Sequence, residues 1–188
     1  MDLYMPIREK TNSQEVQKRP LTFDEPTFTN KDSFTIIGLK CDATPQDNAS
    51  NFTVFKLWDC FNKKENRKIR DIEDTSGSYG VFLPFPKHEG SYSYVCGFNT
   101  KDYAIIPEGM VSHLQTRTKY AVFTYKSPTE NTFDLSGIPA LYWHIFGTWI
   151  PASEYKYNDR SFVFEYYQRS RTMLPFAEID IYVLIIEK

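Results

Sequence analysis

Residues 148–167, TWIPASEYKYNDRSFVFEYY, place one carboxylate, that of Glu165, within the densest run of aromatic residues in the chain. The end of this stretch is rich in aromatic and β-branched residues, which predicts a strand over residues 161–168. Because side chains alternate along a strand, Glu165 shares a face with Val163 and Tyr167. The opposite face carries Phe162, Phe164 and Tyr166. Neither face is polar, so we expect the strand to be covered on both sides.

Two environments remain open for Glu165. In one, the carboxylate is desolvated among the aromatic rings, where burial without a cation raises its pKa. In the other, it lies at an edge of the sheet, in solvent or paired with Arg160 or Arg169. A desolvated carboxylate supplies the counter-charge for a cationic ligand, and it also suits a general acid or base near neutral pH.

The composition describes an ordinary globular protein with an aromatic core. The chain has 188 residues, of which 41% are hydrophobic and 16% aromatic, and its net charge is −2. This length suits one domain or two small fused modules, and the hydrophobic content excludes a disordered chain. The calculated pI of about 5.9 and the absence of a dense basic stripe argue against direct nucleic-acid binding.

The sequence favours a cytoplasmic location. Its first ten residues mix acidic and basic side chains without an apolar segment of signal length, and no stretch is long enough to span a membrane. Three isolated cysteines, odd in number and without CxxC spacing, favour a reducing compartment over disulfides or a zinc site.

The first half of the chain predicts the order β-α-β-β. Residues 1–32 are read as an extended lead-in, because they mix charges and prolines with few periodic apolar positions, and the ordered part is expected to begin near Ser33. Aromatic residues recur every three positions between residues 52 and 64, which indicates an amphipathic helix. The predicted elements of this half are a strand 34–41, a helix 52–64 and a hairpin of strands 79–85 and 91–98.

The second half repeats this order after a polar link over residues 99–118. A strand is predicted at 119–126, and apolar residues at helical spacing predict a helix over 135–149 that ends at Pro151. Strands 161–168 and 178–187 follow. We therefore predict an α+β domain over residues 33–188, with halves of about 33–99 and 118–188 related by pseudo-twofold symmetry. Its two helices would pack on antiparallel sheets around a central hydrophobic cleft.

The motifs of several common chemistries are missing from the sequence. It has no glycine-rich phosphate loop, no Gly-x-Ser-x-Gly elbow, and no histidine at metal-ligand spacing from another ligand. No cofactor and no metal are therefore expected. What remains is a carboxylate among aromatic rings, which suits a lipophilic ligand that carries positive charge.

The candidate ligand-binding residues are the aromatic side chains that could line such a cleft, together with the acid. They are Trp58, Tyr94, Tyr120, Trp143, Trp149, Glu165 and Tyr167. Each tryptophan also lies at core spacing on a predicted helix, so simple packing is the alternative for these three. If the site is catalytic, Glu165 is the candidate general base, with Tyr155 or Tyr167 as the assisting hydroxyl.

Five segments in order and spacing carry a family resemblance: KLWDCF (56–61), KYAVFTY (119–125), TWIPASEY (148–155), FVFEYY (162–167) and EIDIYVLI (178–185). They resemble the GyrI-like small-molecule-binding family, whose members include effector-binding domains of AraC- and MerR-type bacterial regulators. The resemblance implies two β-α-β-β units around a hydrophobic cleft. It also implies that Glu165 is the acidic anchor for aromatic cations, with Trp58 and Trp149 matching family tryptophans.

The resemblance leads to three hypotheses about function. Residues 1–32 are too short and unpatterned for a helix-turn-helix, so the chain resembles a stand-alone member. The first hypothesis is a multidrug-binding or toxin-protective protein that captures cationic aromatic molecules. The second is a module that interacts with a transcription regulator or with DNA gyrase. The third is a cofactor-free hydrolase of strained, cyclopropane-type genotoxins, which resembles the activity of some relatives.

Overall fold

Nine antiparallel strands form one sheet in the computed structural model, which describes residues 18–44, 46, 48, 52–83, 90–157, 162–173 and 175–188. Within these residues the strands are β1 (Thr27–Lys31), β2 (Phe34–Ala43), β3 (Gly77–Leu83), β4 (Tyr92–Thr100), β5 (Val111–Gln115), β6 (Thr118–Lys126), β7 (Tyr155–Tyr157), β8 (Val163–Gln168) and β9 (Glu178–Glu187). The sheet order is β1-β6-β9-β8-β3-β4-β2-β5, and β7 pairs with β9.

Two long helical stretches accompany the sheet in the described part of the chain. The first is α1 (Thr53–Lys63), which is followed by a 3₁₀ turn (Glu65–Lys68). The second is continuous from α2 (Ile138–Trp143) through a π-helix (His144–Trp149) to α3 (Ile150–Ala152). A short helix, α4 (Arg169–Thr172), lies in the connection between β8 and β9. Pro139 lies in the first turn of the second stretch, where the missing N–H costs no intrahelical bond.

The sheet is duplicated about its centre. β8 and β3 pair at the middle, β9 and β4 flank them, and β6 and β2 come next. Each half therefore contributes three strands and one long helical stretch in the same order, β-α-β-β. The predicted α+β fold with two such units is confirmed, and both units share a single sheet.

A short connection requires the sheet to curl. β1 and β2 lie near opposite ends of the strand order, yet only Asp32 and Ser33 separate them in sequence. Three Cα–Cα steps span at most about 11 Å, so the two flanks of the sheet must approach each other. The sheet is therefore a half-barrel with an inner and an outer face.

The two faces hold different cores. The outer face is covered by the helices, and its buried residues form one cluster around Leu141 and Ile145 and another around Trp58 and Phe61. The inner face holds a third cluster that includes Tyr120 and Phe164. Glu165 lies between Phe164 and Tyr166 in sequence and therefore points to the outer, helix-covered face.

Several predicted boundaries need correction. The ordered part does not begin near Ser33, because β1 already pairs with β6 at Thr27–Lys31. The polar link 99–118 contains β5, which pairs with β2. Short edge strands such as β1 and β5 lack a strong apolar alternation, which explains why periodicity missed them. The predicted hairpin loop, the end of the predicted strand 79–85 and Arg160 fall wholly or partly outside the described residues.

Candidate functional site

Glu165 occupies the centre of the outer face. On β8 it pairs with Gly80 of β3 on one side and with Ile181 of β9 on the other. Only 5% of the residue is exposed to solvent. Of the two environments considered for this carboxylate, the structure therefore has the desolvated one.

Three tyrosine hydroxyls donate hydrogen bonds to this carboxylate. Tyr94 and Tyr167 donate to Oε2 at 2.6 and 2.7 Å. Tyr142 donates to Oε1 at 2.7 Å. Tyr94 and Tyr167 come from the sheet, whereas Tyr142 comes from α2. The carboxylate thus ties the second helical stretch to β8 and β4.

Trp58 extends this network from the other helix. Its indole Nε1 donates to the hydroxyl of Tyr94 at 3.1 Å, and its ring meets that of Tyr167 edge-on with centroids 5.0 Å apart. Phe82 packs edge-on against both Tyr94 and Tyr142, with centroids 4.8 and 5.9 Å away. Aromatic rings from both halves of the duplicated fold therefore surround one acid.

The strand opposite Glu165 leaves room for these groups by having no side chain. A Cβ atom on Gly80 would lie 1.9 Å from the Tyr94 hydroxyl and 3.0 Å from Glu165 Oε2. Glycine in a strand interior often marks a site of close approach. Here the approaching atoms are those of the network itself.

Burial and hydrogen bonding shift the pKa of this acid in opposite directions. Burial raises the pKa of Glu165, the three tyrosine hydrogen bonds lower it in part, and the net pKa remains above its ordinary value. Burial, followed by the charge of Glu165, raises the pKa of Tyr94, Tyr142 and Tyr167 well above the ordinary value, so all three remain protonated donors. In the described part of the chain, no cationic side chain forms an ion pair with Glu165.

The structure brings four of the predicted site residues together, namely Trp58, Tyr94, Glu165 and Tyr167. Tyr120 is not among them, which corrects the expectation of one cleft lined by all seven residues. It lies on the inner face with Phe164, and its hydroxyl is buried without a hydrogen-bond partner among the described residues. The alternation of side chains along β6 places Tyr120 there.

Trp143 and Trp149 lie away from Glu165. Trp143 is 70% exposed, and its ring lies over Gly147 on the outside of the helical stretch. Trp149 packs edge-on against Phe123, and its indole N–H donates to Glu25 at 3.2 Å. Helical spacing identified the stretch, but it did not identify which residue on it reaches the acid.

Tyr155 also lies elsewhere, so it does not assist Glu165 in this structure. Its ring stacks on Trp149, with centroids 6.2 Å apart and planes 10° apart. Its hydroxyl accepts a hydrogen bond from Lys119 at 3.1 Å. The hydroxyl that reaches Glu165 from the helical layer is that of Tyr142, which sequence reasoning missed. The available signal was that Tyr142 lies on the apolar stripe of the helix while its hydroxyl needs a polar partner.

Other kinds of site are less evident in the part of the chain that the structure describes. There, no group of three His, Cys, Asp or Glu side chains is placed to hold a metal ion. None of the helices found there has both the length and the apolar character needed to cross a bilayer.

The fold and this site define a class of protein. It is a duplicated α+β domain that buries one carboxylate beneath its two helical stretches and surrounds it with aromatic rings. Residues 27–185 match the family described as "Cass2: Integron-associated effector binding protein", and the chain belongs to this family. The family is related to the GyrI-like effector-binding domains, as the sequence resemblance implied.

A curated relative supports the same assignment. The chain is 31% identical over 162 residues to the transcriptional regulator BrlR of Pseudomonas aeruginosa. The match covers 84% of this chain and 54% of the regulator. The chain therefore spans about half the length of this relative.

Solved structures of low identity share the fold. An integron cassette protein from the mobile metagenome of Vibrio cholerae superposes with a TM-score of 0.62 at 17% identity, covering 89% of this chain and 100% of that one. The protein SAV2435, described as bound to tetraphenylphosphonium, superposes with a TM-score of 0.64 at 16% identity, covering 87% and 94%. A protein from Staphylococcus aureus described as a putative transcription regulation protein superposes with a TM-score of 0.59 at 14% identity. This match covers 86% of this chain and 97% of that one.

Proposed function

We propose that this protein captures lipophilic aromatic cations at Glu165, as the effector-binding part of a regulatory or protective system. One observation carries the proposal. A carboxylate at the centre of the fold is removed from water, surrounded by aromatic rings and, in the described part of the chain, bonded only to neutral hydroxyl donors. Its negative charge has no matching positive charge there.

A bound cation would supply the missing charge. Desolvation disfavours the ionised acid, and an organic cation beside it would reverse that penalty through the strong electrostatics of a dry site. Trp58, Tyr94 and Tyr167 present aromatic surfaces to such a ligand, whose positive charge the ring faces attract. A neutral molecule of the same shape would gain the apolar contacts without the ion pair.

Access to the acid requires one tyrosine to move. Tyr94 and Tyr167 are held by the sheet, whereas Tyr142 comes from a helical stretch that continues into a π-helix. π-Helical turns often occur at functional sites. We propose that Tyr142 swings away from Oε1 when the ligand enters, at a cost of about 1.5–3 kcal/mol for a hydrogen bond to a charged group.

The relatives support this proposal. SAV2435 is described as bound to tetraphenylphosphonium, an aromatic cation, and it shares this fold. BrlR is a transcriptional regulator, and this chain matches about half of its length. Action on a transcription regulator or on gyrase is therefore a proposal about a partner, to be tested by capture with wild type and with Glu165→Gln.

Hydrolysis is the weaker proposal for the same residues. The raised pKa of Glu165 suits a general base, and hydroxyls lie within 3 Å of it. Both carboxylate oxygens already accept tyrosine hydrogen bonds, so a water would have to displace one of them. Ring opening of a cyclopropane alkylator by wild type but not by Glu165→Gln, followed by mass spectrometry, would establish this activity.

The binding proposal is tested with a matched pair of ligands. Methyltriphenylphosphonium and triphenylphosphine oxide have similar shapes but differ in net charge. We expect wild type to bind the cation with a Kd in the micromolar range, about −8 kcal/mol, and to bind the neutral oxide at least tenfold more weakly. Glu165→Gln should lower the affinity for the cation about tenfold or more and change the affinity for the oxide little. Isothermal titration calorimetry measures both.

The pH dependence provides an independent check. A cation favours the ionised acid, so its affinity should be constant above the raised pKa of Glu165 and fall as pH drops through it. Proton release on binding should appear near that pKa in wild type and be absent in Glu165→Gln. Equal losses of cation and oxide in Glu165→Gln, or a pH-independent affinity, would contradict the anchoring role.

A further inference from the structure

A cavity away from Glu165 lies beside the 3₁₀ turn that follows α1. Its volume is about 350 Å³, near the lower end of the range of small-molecule pockets. Ile69, Ile72 and Phe98 form its apolar floor. Ile69 and Phe98 are themselves buried, so the floor is rigid core rather than mobile surface.

The walls of this cavity are strongly cationic. Arg67, Arg70 and Arg169 line it, against one carboxylate, that of Asp74. Asp74 already accepts hydrogen bonds from Ser76, Tyr79 and Tyr166. In the described part of the chain, neither Arg70 nor Arg169 forms an ion pair.

Two buried polar atoms on the cavity wall have no partner among the described residues. One is the guanidinium Nε of Arg169, which is a donor. The other is the amide Oδ1 of Asn66, which is an acceptor. Only 4% of Asn66 is exposed, and its amide nitrogen already donates to the carbonyl oxygen of Asn62 at 3.4 Å. Buried polar atoms are nearly always hydrogen-bonded in folded proteins, so an unpaired donor and an unpaired acceptor among the residues that line one cavity are unusual.

These observations define the chemistry of an occupant. Guanidinium groups favour carboxylate and phosphate, which they bind through charge-assisted hydrogen bonds. The free acceptor of Asn66 requires a donor such as a hydroxyl or an amine. The apolar floor requires a hydrophobic body.

We infer that this cavity is a second binding site, for a small organic anion with a hydroxyl or amino group beside its carboxylate or phosphate and an apolar body behind it. The anionic group accepts from Arg169 Nε and Arg70, the neighbouring donor pairs with Asn66 Oδ1, and the body rests on Phe98 and Ile69. This ligand is opposite in charge to the one proposed for Glu165. The two sites therefore take different classes of molecule.

Matched probes test each part of this assignment. 3-Phenyllactate has a carboxylate, a neighbouring hydroxyl and a phenyl body. 3-Phenylpropanoate lacks the hydroxyl, and methyl 3-phenyllactate lacks the charge. By nuclear magnetic resonance titration, we expect 3-phenyllactate to bind at least about tenfold more tightly than either analogue. The first analogue leaves Asn66 Oδ1 unpaired, and the second offers the guanidinium groups a neutral ester carbonyl, which makes a weaker hydrogen bond than a carboxylate does. Glycerol 3-phosphate, titrated in parallel, distinguishes a preference for phosphate from one for carboxylate.

Substitutions assign the contacts. Arg169→Met should lower the affinity for 3-phenyllactate and for 3-phenylpropanoate about tenfold or more. Asn66→Ala should make the affinities for these two probes similar. Shifts of the Asn66 amide and Arg169 Nε–H signals in wild type give the same information if Asn66→Ala does not fold. Methyltriphenylphosphonium should bind Arg169→Met as it binds wild type. The inference would be overturned by equal binding of 3-phenyllactate and its methyl ester, or by the absence of a shift at these two signals. Loss of methyltriphenylphosphonium binding in Arg169→Met would also overturn it.

Discussion

Glu165 shows how one residue can be held in an unfavourable environment. Its carboxylate is almost fully buried, and three hydroxyl donors offset only part of the desolvation penalty, because its pKa remains above the ordinary value. A group of this kind destabilises the folded state at neutral pH, which is typical of functional sites.

The pH dependence of stability follows from the direction of this shift. The ordinary pKa is 4.5, and the folded value is higher. Between these two values the folded state binds more protons than the unfolded state, so the free energy of unfolding falls as pH rises. Glutamine does not titrate. We therefore expect the stability of Glu165→Gln relative to wild type to increase above pH 4.5 and to level off above the folded pKa.

Urea unfolding of both proteins at a series of pH values measures this difference. The comparison cancels most other titrating groups, because they are common to the two chains. A relative stability that does not change with pH, or one that changes in the opposite direction, would exclude a raised pKa at Glu165.

Gly80 is the second residue on which the site depends. A methyl group there would overlap the Tyr94 hydroxyl, so Gly80→Ala must displace Tyr94 or separate the central strands. We expect a loss of about 1–3 kcal/mol in stability, as for other overpacking changes, and at least a tenfold loss of cation affinity. Gly90→Ala is the control, because no atom of the described residues, its chain neighbours aside, lies within 4 Å of its Cβ position. Thermal unfolding and calorimetry measure the two effects, and equal behaviour of the two variants would contradict the packing role.

Among the elements, the helical stretch from α2 to α3 is the one that we propose controls access to the acid. It contributes Tyr142 to the network but turns its neighbour Trp143 to solvent. It is also held from outside the sheet, since Trp149 bonds Glu25 and His144 stacks on Phe23 with centroids 5.2 Å apart. In our proposal the tyrosine side chain moves while these contacts hold the helical backbone in place.

Substitution of Tyr142 should change stability and cation affinity in opposite directions. Tyr142→Phe removes one hydrogen bond to a charged group, so stability should fall by about 1.5 kcal/mol or more. Cation affinity should rise several-fold, because the ligand no longer has to displace this bond. Calorimetry with methyltriphenylphosphonium and urea unfolding test both expectations.

Trp143→Phe is the matched control on the same helical stretch. Its exposed ring should contribute little, so both stability and affinity should stay within about 0.5 kcal/mol of wild type. Weaker cation binding in Tyr142→Phe would show that the hydroxyl holds the ligand instead of covering the acid. A large loss of affinity in Trp143→Phe would restore this residue to the binding site.

At the scale of the whole molecule, the curled sheet depends on its edges. β1 covers the edge of β6, and Phe28 of β1 packs against Tyr155 with centroids 5.3 Å apart. An uncovered edge strand offers unpaired backbone groups to other chains. β1 is itself the outermost strand on this side, but it has five residues whereas β6 has nine, so it offers fewer unpaired backbone groups than an open β6 would.

Deletion of β1 should cause association. We expect a chain without residues 1–31 to form larger, concentration-dependent species than wild type, because β6 would then be an open edge. Size-exclusion chromatography with light scattering detects them. Deletion of residues 1–17 alone keeps every contact described above and is the control. If both deletions behave as wild type does, β1 does not protect the edge.

The sequence by itself determined the elements whose patterns are local. The alternation through residues 163–167 placed Glu165 on one face of a central strand, and aromatic spacing identified both long helical stretches. It also identified four residues of the network, Trp58, Tyr94, Glu165 and Tyr167. These properties depend on neighbours within a few residues, which is why periodicity detects them.

Only the tertiary structure decided which aromatic residues reach the acid. Tyr94 and Glu165 are 71 positions apart, and Tyr142 and Glu165 are 23 apart. Their contact depends on strand register, on the rotation of a helix and on the absence of a side chain at Gly80. The same tertiary facts turn Tyr120 to the inner face and Trp143 to solvent. Local sequence patterns do not contain them, because register and rotation are set by the packing of the whole sheet against its two helical layers.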